Sequence, residues 1–213
     1  MGMATDFELL FARFAARNPD PGTELFSTNH YTLLVAVVLS AQATDVSVNK
    51  VTKRLFKIAD TPEKMLNLGQ QKLKQHIKTI GLFNNKAKNI VALSEILLER
   101  FSGKVPADFD QLLSLPGVGR KTAHVMLNCA FDGDNIAVDT HVFRVSNRIG
   151  IIKARNVQAA ERALKKTIPK KWAKRAHHWL VLHGRYICKA RNPACQDCFI
   201  NDLCDYYRKS GLK

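Results

Sequence analysis

The chain has 213 residues and a hydrophobic content of 46%, which is enough for one large folded domain or two compact ones. Its 33 Lys and Arg residues against 18 Asp and Glu residues give a formal net charge of +15, and such an excess favours a polyanionic partner. The longest apolar run, at residues 33–39, is far shorter than the ~20 residues of a membrane span, so we expect no membrane segment. No leader-like segment opens the chain, and we therefore expect a cytoplasmic protein.

The first hundred residues have the apolar spacing of α-helices. The N-terminal helix is predicted to stop at Asn18-Pro19, and its apolar face comprises Phe7, Leu10, Phe11 and Phe14. The valine-rich run at residues 33–39 suits a buried helix or a buried strand. We predict a helix, because no nearby segment offers a pairing strand. A later helix ends at Gly103 and Pro106, and its mostly apolar face comprises Ala87, Ile90, Val91, Ser94, Leu97, Leu98 and Phe101. Short helices with few strand signals predict an all-α protein.

A glycine-rich turn separates two short predicted helices. Asp108 is the predicted N-cap of the first helix, which ends before Pro116, and Gly117 and Gly119 lead into the second. Glycines permit backbone angles closed to other residues and allow close approach of a ligand. N–H groups at the start of the second helix, with the positive end of its dipole, can then bind a phosphate. A plain helix–helix turn is the commoner meaning of this pattern. In so basic a chain, we favour a grip on a nucleic-acid backbone.

Lys121 and Asp139 are the candidate catalytic residues. Lys121 lies in the first turn of the second helix, where the dipole disfavours a charged amine and so favours the neutral, nucleophilic form. By spacing alone, a lysine that simply binds phosphate is the simpler interpretation. Asp139 precedes Thr140-His141 and a predicted helix. It is therefore either an ordinary N-cap or a carboxylate that stabilises positive charge on a sugar or transfers a proton.

Four cysteines near the C-terminus form a candidate metal site. They fall within seventeen residues, with gaps of six, two and five residues, at Cys188, Cys195, Cys198 and Cys204. Where thiols are kept reduced, clustered cysteines indicate metal ligands rather than disulfides. Four thiolates suit zinc and an iron–sulfur cluster equally by ligand type. The fifth cysteine, Cys129, is predicted to be a small buried side chain.

Together these motifs resemble the helix-hairpin-helix DNA glycosylases, in the branch that also cleaves abasic sites. The resemblance spans roughly residues 7–206, and it is carried by the four cysteines and by residues 40–45, 80–82, 115–122, 138–141 and 183–185. It implies a central helical bundle with the hairpin at 23–132, and an iron–sulfur domain formed by 1–22 and 133–213. It also implies a [4Fe–4S] cluster on the cysteines and double-stranded damaged DNA as the partner. We expect the protein to be a monomer, to come from a prokaryote and to be associated with the nucleoid.

The resemblance also assigns roles to individual residues. Lys121 attacks the sugar carbon that carries an oxidised pyrimidine, assisted by Asp139, and a Schiff base then leads to β-elimination and a 3′ strand cut. Gln42 fills the space left by the flipped base, and Leu82 wedges the opposite strand. Further expected DNA contacts are Gly117, Gly119, Lys189 and Arg191. The expected base pocket comprises Ser40, Asp45 and His141.

Two other functions fit parts of this pattern. One is a glycosylase of the same fold with another base preference, and the other is a non-catalytic, metal-stapled DNA-binding module. Lys121 with Asp139 argues against the second, whereas zinc in place of iron would support it. His124 departs from the family pattern, since relatives often carry asparagine there, and the departure bears on the detail of the pocket or the hairpin, not on the reaction class. His141 equally fits a histidine packed within the fold.

Overall fold

The computed structural model describes residues 6–131, 133 and 136–211, and these contain eleven α-helices, a short 3-10 helix at Asn201–Leu203 and no strand. The helices are α1 Phe7–Arg17, α2 His30–Ser40, α3 Asp45–Leu55, α4 Pro62–Ile77, α5 Phe83–Phe101, α6 Phe109–Leu113, α7 Arg120–Ala130, α8 Thr140–Ile149, α9 Val157–Thr167, α10 Lys170–Tyr186 and α11 Asp205–Ser210. The all-α prediction is confirmed. Within the described ranges, no helix is long and apolar enough to cross a membrane.

Residue contacts divide the chain into two compact units. The central unit, Glu24–Phe131, contains α2 to α7. The terminal unit joins Met1–Thr23 to Asp132–Lys213 and contains α1 and α8 to α11. The domain boundary expected at residue 132 lies outside the described residues, as do residues 1–5, 134, 135, 212 and 213 of the expected domains.

Helix α2 forms the core of the central unit. Residues 31–39 are all buried, as expected for a helix that is apolar on every side. A capping box begins the helix: the Thr32 N–H donates to Asn29 Oδ1 at 2.8 Å, and the Asn29 N–H donates to Thr32 Oγ1 at 2.9 Å. Helices α3, α5 and α7 pack against α2, and α4 packs along α5. The prediction of a helix rather than a strand at residues 33–39 is confirmed.

The terminal unit is built from both ends of the chain around an aromatic cluster. The Phe14 ring of α1 stacks on Trp179 of α10 with ring centroids 6.1 Å apart, and it meets Phe199 edge-on at 5.2 Å. The buried Trp179 indole N–H donates to the Asn18 carbonyl at 2.8 Å, so its polar atom is paired where the predicted N-terminal helix ends. Helix α8 packs along α10 and forms the other side of this core.

Candidate functional site

The hairpin between α6 and α7 contains two glycines, and the structure gives a different reason for glycine at each position. Gly117 has a left-handed φ of +79°, and a Cβ there would lie 3.0 Å from the Cβ and Nδ2 atoms of Asn89 on α5. Gly119 has a φ of −94° and is the N-cap of α7, and a Cβ there would meet nothing within 4 Å. Gly117 is therefore required by the protein's own backbone and packing. Gly119 leaves open space in front of α7.

The start of α7 is suited to an anion. Its first turn contains Arg120 and Lys121, both exposed, and it has neither an acidic residue nor a side-chain cap. Backbone N–H groups and the helix dipole therefore present positive charge where Lys121 is attached. Nearby, the Arg120 guanidinium lies over the Phe109 ring of α6, 5.2 Å from its centroid.

His124 packs inside the hairpin. It is buried, and its ring centroid lies 4.7 Å from that of Phe109 on α6. The residue that departs from the family pattern thus contributes to the packing between α6 and α7, on the same Phe109 ring that Arg120 covers.

Asp139 is the N-cap of α8, in the terminal unit. Its Oδ1 atom accepts hydrogen bonds from the backbone N–H groups of His141 and Val142, each at 2.8 Å. The half-buried carboxylate follows residues 136–138, which are buried. The N-cap interpretation is therefore confirmed, and the same two bonds fix the direction of the carboxylate. Lys121 belongs to the central unit and Asp139 to the terminal unit.

His141 is packed between α8 and α10. A Cβ added at Gly184 would lie 2.8 Å from His141 Cβ and 3.0 Å from Val145 Cγ2, so only glycine allows this approach. Arg144 brings its NH2 atom to 3.2 Å from His141 Nδ1 and donates to the Gly184 carbonyl at 2.8 Å. His141 therefore packs against α10 at the start of α8.

The four cysteines line one cavity in the terminal unit, together with His183, Asn201 and mostly apolar or aromatic residues of α8, α11 and the loop between α10 and α11. Within the described residues, no group of three or more His, Cys, Asp or Glu side chains is placed to hold a single metal ion, whereas the four thiols surround a cavity, as the ligands of a multi-atom cluster do. Burial raises the pKa of the Cys198 thiol to about 11, and it raises the pKa values of Cys195 and Cys204 as well. Loading with iron therefore has to release thiol protons.

Side-chain nitrogens lie near two of the four cysteine sulfurs. Arg148 NH1 lies 3.6 Å from Cys188 Sγ, and His183 Nε2 lies 3.7 Å from Cys198 Sγ. An apolar cavity with four thiols and nearby N–H groups has the donor set that iron–sulfur clusters use, so the residues present fit this group.

Arg148 holds the loop that carries the expected DNA contacts after α10. Its NH1 and NH2 atoms donate to the carbonyls of Lys189 and Ala190 at 2.7 and 3.1 Å, and its guanidinium lies 4.7 Å from the Tyr206 ring centroid. The side chains of Lys189 and Arg191 are exposed. Sequence reasoning assigned Arg148 no role, because its partners lie about forty residues away along the chain.

Gln42 and Leu82 occupy adjacent loops of the central unit. Both are exposed and left-handed, with φ of +56° and +59°, and Leu82 is 57% exposed despite its apolar side chain. A Cβ at Gly81 would lie 3.9 Å from the Gln42 carbonyl oxygen, so the two loops are in contact.

The two other expected base-pocket residues are both half-buried near the Gln42 loop. Ser40 directs its hydroxyl back to the Val37 carbonyl at 2.8 Å, and Asp45 is the first residue of α3. The structure therefore places Ser40 and Asp45 on either side of Gln42, in the central unit, and His141 in the terminal unit.

The all-α fold and the glycine hairpin before Lys121 define a helix-hairpin-helix protein, and the comparisons with known proteins identify its class as DNA repair. The family described as HhH-GPD superfamily base excision DNA repair protein matches residues 35–170. The iron–sulfur binding domain of endonuclease III matches residues 188–204, a segment that begins at Cys188 and ends at Cys204.

The individual relatives identify the branch of this superfamily to which the chain is similar. Endonuclease III of Rickettsia conorii is 59% identical over 93% of this chain and 94% of its own, and that of Escherichia coli K12 is 52% identical over the whole of both. A structure described as a trapped endonuclease III–DNA covalent intermediate is 44% identical, with a TM-score of 0.88 over 99% of both chains. The chain therefore belongs to the endonuclease III family.

Proposed function

We propose that this chain excises oxidised pyrimidines from duplex DNA and cuts the strand on the 3′ side of the resulting abasic site. Its family places it among the base excision repair glycosylases that are also abasic-site lyases. The observation that carries the finer proposal is Lys121, an exposed amine in the first turn of α7 directly after the hairpin. A relative trapped as a covalent DNA intermediate supports a nucleophilic mechanism.

The proposed reaction is a nucleophilic substitution followed by an elimination. The neutral Nζ of Lys121 attacks C1′ of the damaged nucleotide, the bond from C1′ to the base breaks, and the base departs with a proton. Opening of the sugar ring leaves a protonated Schiff base between Nζ and C1′. Loss of a proton from C2′ then expels the 3′ phosphate, and water releases Lys121. The Asp139 carboxylate stabilises positive charge on the sugar, and its two capping bonds hold the carboxylate in one orientation.

The hairpin is proposed to bind the DNA backbone without reading sequence. A phosphate approaches the N–H groups at the start of α7 through the open space at Gly119, while Gly117 shapes the turn. Lys189 and Arg191 add contacts from the loop that Arg148 holds. The partner is then double-stranded damaged DNA, bound chiefly through phosphates, so affinity falls steeply with salt.

Base flipping requires side chains to replace the extruded nucleotide. We assign this role to Gln42 and Leu82, which are exposed on touching loops in an uncommon backbone conformation. Ser40 and Asp45, next to the Gln42 loop, are proposed to line the base pocket together with His141.

The chain carries an iron–sulfur cluster by its family, and we propose that Cys188, Cys195, Cys198 and Cys204 are the ligands of a [4Fe–4S] form. The cluster links four points of the terminal unit and so acts as a structural staple. We further propose that residues 23–132 form the hairpin domain and that 1–22 with 133–213 form the cluster domain. The enzyme is proposed to act as a monomer in the cytoplasm, at the bacterial nucleoid.

Borohydride trapping tests the proposal. Wild-type protein, Lys121→Ala and the matched surface variant Lys72→Ala are incubated with a duplex that contains one oxidised thymine. Hydride reduces the Schiff base to a stable amine, so a protein–DNA adduct is expected with wild type and Lys72→Ala but not with Lys121→Ala. Excision without any adduct would make the protein a monofunctional glycosylase. Binding with neither excision nor adduct would make it a non-catalytic DNA-binding module.

A further inference from the structure

Lys86 is a buried lysine on α5. It is 6% exposed, and within the described residues its ammonium has no carboxylate partner. The ammonium instead donates to two backbone carbonyls, Leu39 at 3.0 Å and Ala41 at 2.6 Å. Burial without a counter-charge lowers the pKa of this lysine, so its position is costly for the fold unless the hydrogen bonds offset the lost hydration.

The two carbonyls belong to the C-terminal end of α2. The last turn of this helix has no basic residue of its own, although helix C-termini favour a cation and leave carbonyls without partners. Two neighbouring carbonyls are paired locally, Val37 with the Ser40 hydroxyl and Ser40 with the Ala43 N–H. Lys86 completes the end of α2 from another helix.

Lys86 joins the loop that presents Gln42 to the first turn of α5, which begins directly after Leu82. Its side chain binds the carbonyl of Ala41, the residue before Gln42. Leu82 is the N-cap of α5, and its carbonyl accepts the backbone N–H of Lys86 at 3.1 Å, the ordinary helical bond of that turn. Left-handed non-glycine residues such as these two are strained and persist only where the surroundings hold them.

We propose that Lys86 is a positioning residue that holds Gln42 and Leu82 in fixed mutual placement before DNA binds. This inference rests on the proposed insertion of those two side chains into DNA. If the two side chains already have this placement before DNA binds, they do not have to be ordered while the base is extruded. The free-energy gain therefore speeds the base-flipping step. Chemistry at an abasic site, where no base is extruded, depends on it much less.

A double-mutant cycle tests this role. Single-turnover excision of oxidised thymine is measured for the intact, cluster-containing protein with and without Lys86→Met, in the wild-type background and in the Gln42→Ala/Leu82→Ala background. We expect Lys86→Met to slow excision about tenfold or more in the wild-type background and less than twofold in the double-alanine background, because it acts through the residues already removed. In the wild-type background, strand cleavage at a preformed abasic site should change less than threefold. Equal losses in both backgrounds, or equal losses in excision and cleavage, would overturn the inference and leave Lys86 a stability residue.

Two further variants keep the test decisive. Lys88→Met removes one charge from an exposed lysine on the same helix, and it should leave the ratio of excision to cleavage at the wild-type value. If Lys86→Met does not fold, the same cycle with Lys86→Gln, which keeps one donor group, decides the question by the same criteria. A wild type that excises nothing would refute the proposed function itself. A double-alanine variant with wild-type excision would refute the insertion role and, with it, the positioning role of Lys86.

Discussion

Alanine substitution at the two hairpin glycines should separate stability from DNA binding. At Gly117 the alanine must adopt a left-handed φ of +79°, which costs about 1–2 kcal/mol, and its methyl group would lie 3.0 Å from Asn89. Overpacking of this kind adds about 1 kcal/mol or more. We therefore expect Gly117→Ala to lower the free energy of unfolding by at least ~2 kcal/mol, and the melting temperature by roughly 4–8 °C.

The same substitution at Gly119 should leave the fold intact. Its φ of −94° suits alanine, and no atom lies within 4 Å of the new methyl group. A tolerated Gly→Ala change stabilises by about 0.4–1 kcal/mol through the unfolded chain, but alanine is a poorer N-cap than glycine, so the two effects should largely offset each other. The methyl group does, however, stand where a phosphate must approach the N–H groups of α7. A hydrogen bond to a charged group contributes about 1.5–3 kcal/mol, so loss of one should weaken duplex binding about 10- to 100-fold.

Thermal unfolding and fluorescence anisotropy with an undamaged duplex, at one fixed salt concentration, give the two readouts. Gly22→Ala is the matched control, because Gly22 is exposed and also has open space around its Cβ position. If Gly119→Ala binds duplex as tightly as Gly22→Ala, then the start of α7 does not hold a phosphate. If Gly117→Ala melts with the wild type, the argument from its φ and from Asn89 is wrong.

Three further predictions follow from single contacts. Asp139→Asn keeps both capping bonds, so the free energy of unfolding should stay within ~0.5 kcal/mol of wild type. Single-turnover excision should nevertheless fall about 100-fold or more, because the charge of the carboxylate is lost. Unchanged excision would show that Asp139 takes no part in the chemistry. Gly184→Ala places a methyl group 2.8 Å from His141 Cβ, so α8 must shift by about 1 Å. Because Asp139 is the N-cap of α8, excision should fall up to about 100-fold. A wild-type rate of excision would show that the shift does not reach Asp139. Burial raises the pKa of Tyr31, so above about pH 10 the unfolded chain loses a proton that the folded protein keeps. Urea unfolding should therefore show stability that is present below pH 10 and lost above it, with a flatter profile in Tyr31→Phe; identical profiles would contradict the shift.

Sequence patterns predicted the features that depend on neighbouring residues. The buried helix at residues 33–39, the Asp108 cap and the end of α5 near Gly103 all follow from local spacing and backbone preference, and the structure confirms them. The different reasons for Gly117 and Gly119 were not predictable, because the difference comes from Asn89, 28 residues before Gly117. His124 was noticed as a departure, but its contact with Phe109 needed the packing of α6 against α7.

The contacts of Lys86, Arg144 and Arg148 show that some of the chain's basic side chains have a structural role. All three cations donate to backbone carbonyls, and Arg148 binds two carbonyls of the loop that presents Lys189 and Arg191. Such cations complete helix ends and hold loops, so not all of the 33 Lys and Arg side chains are available for phosphates. The salt dependence of DNA binding follows the phosphates that are neutralised rather than the net charge. Basic residues that hold a loop, as Arg148 does, therefore decide where the basic side chains proposed to contact DNA are placed.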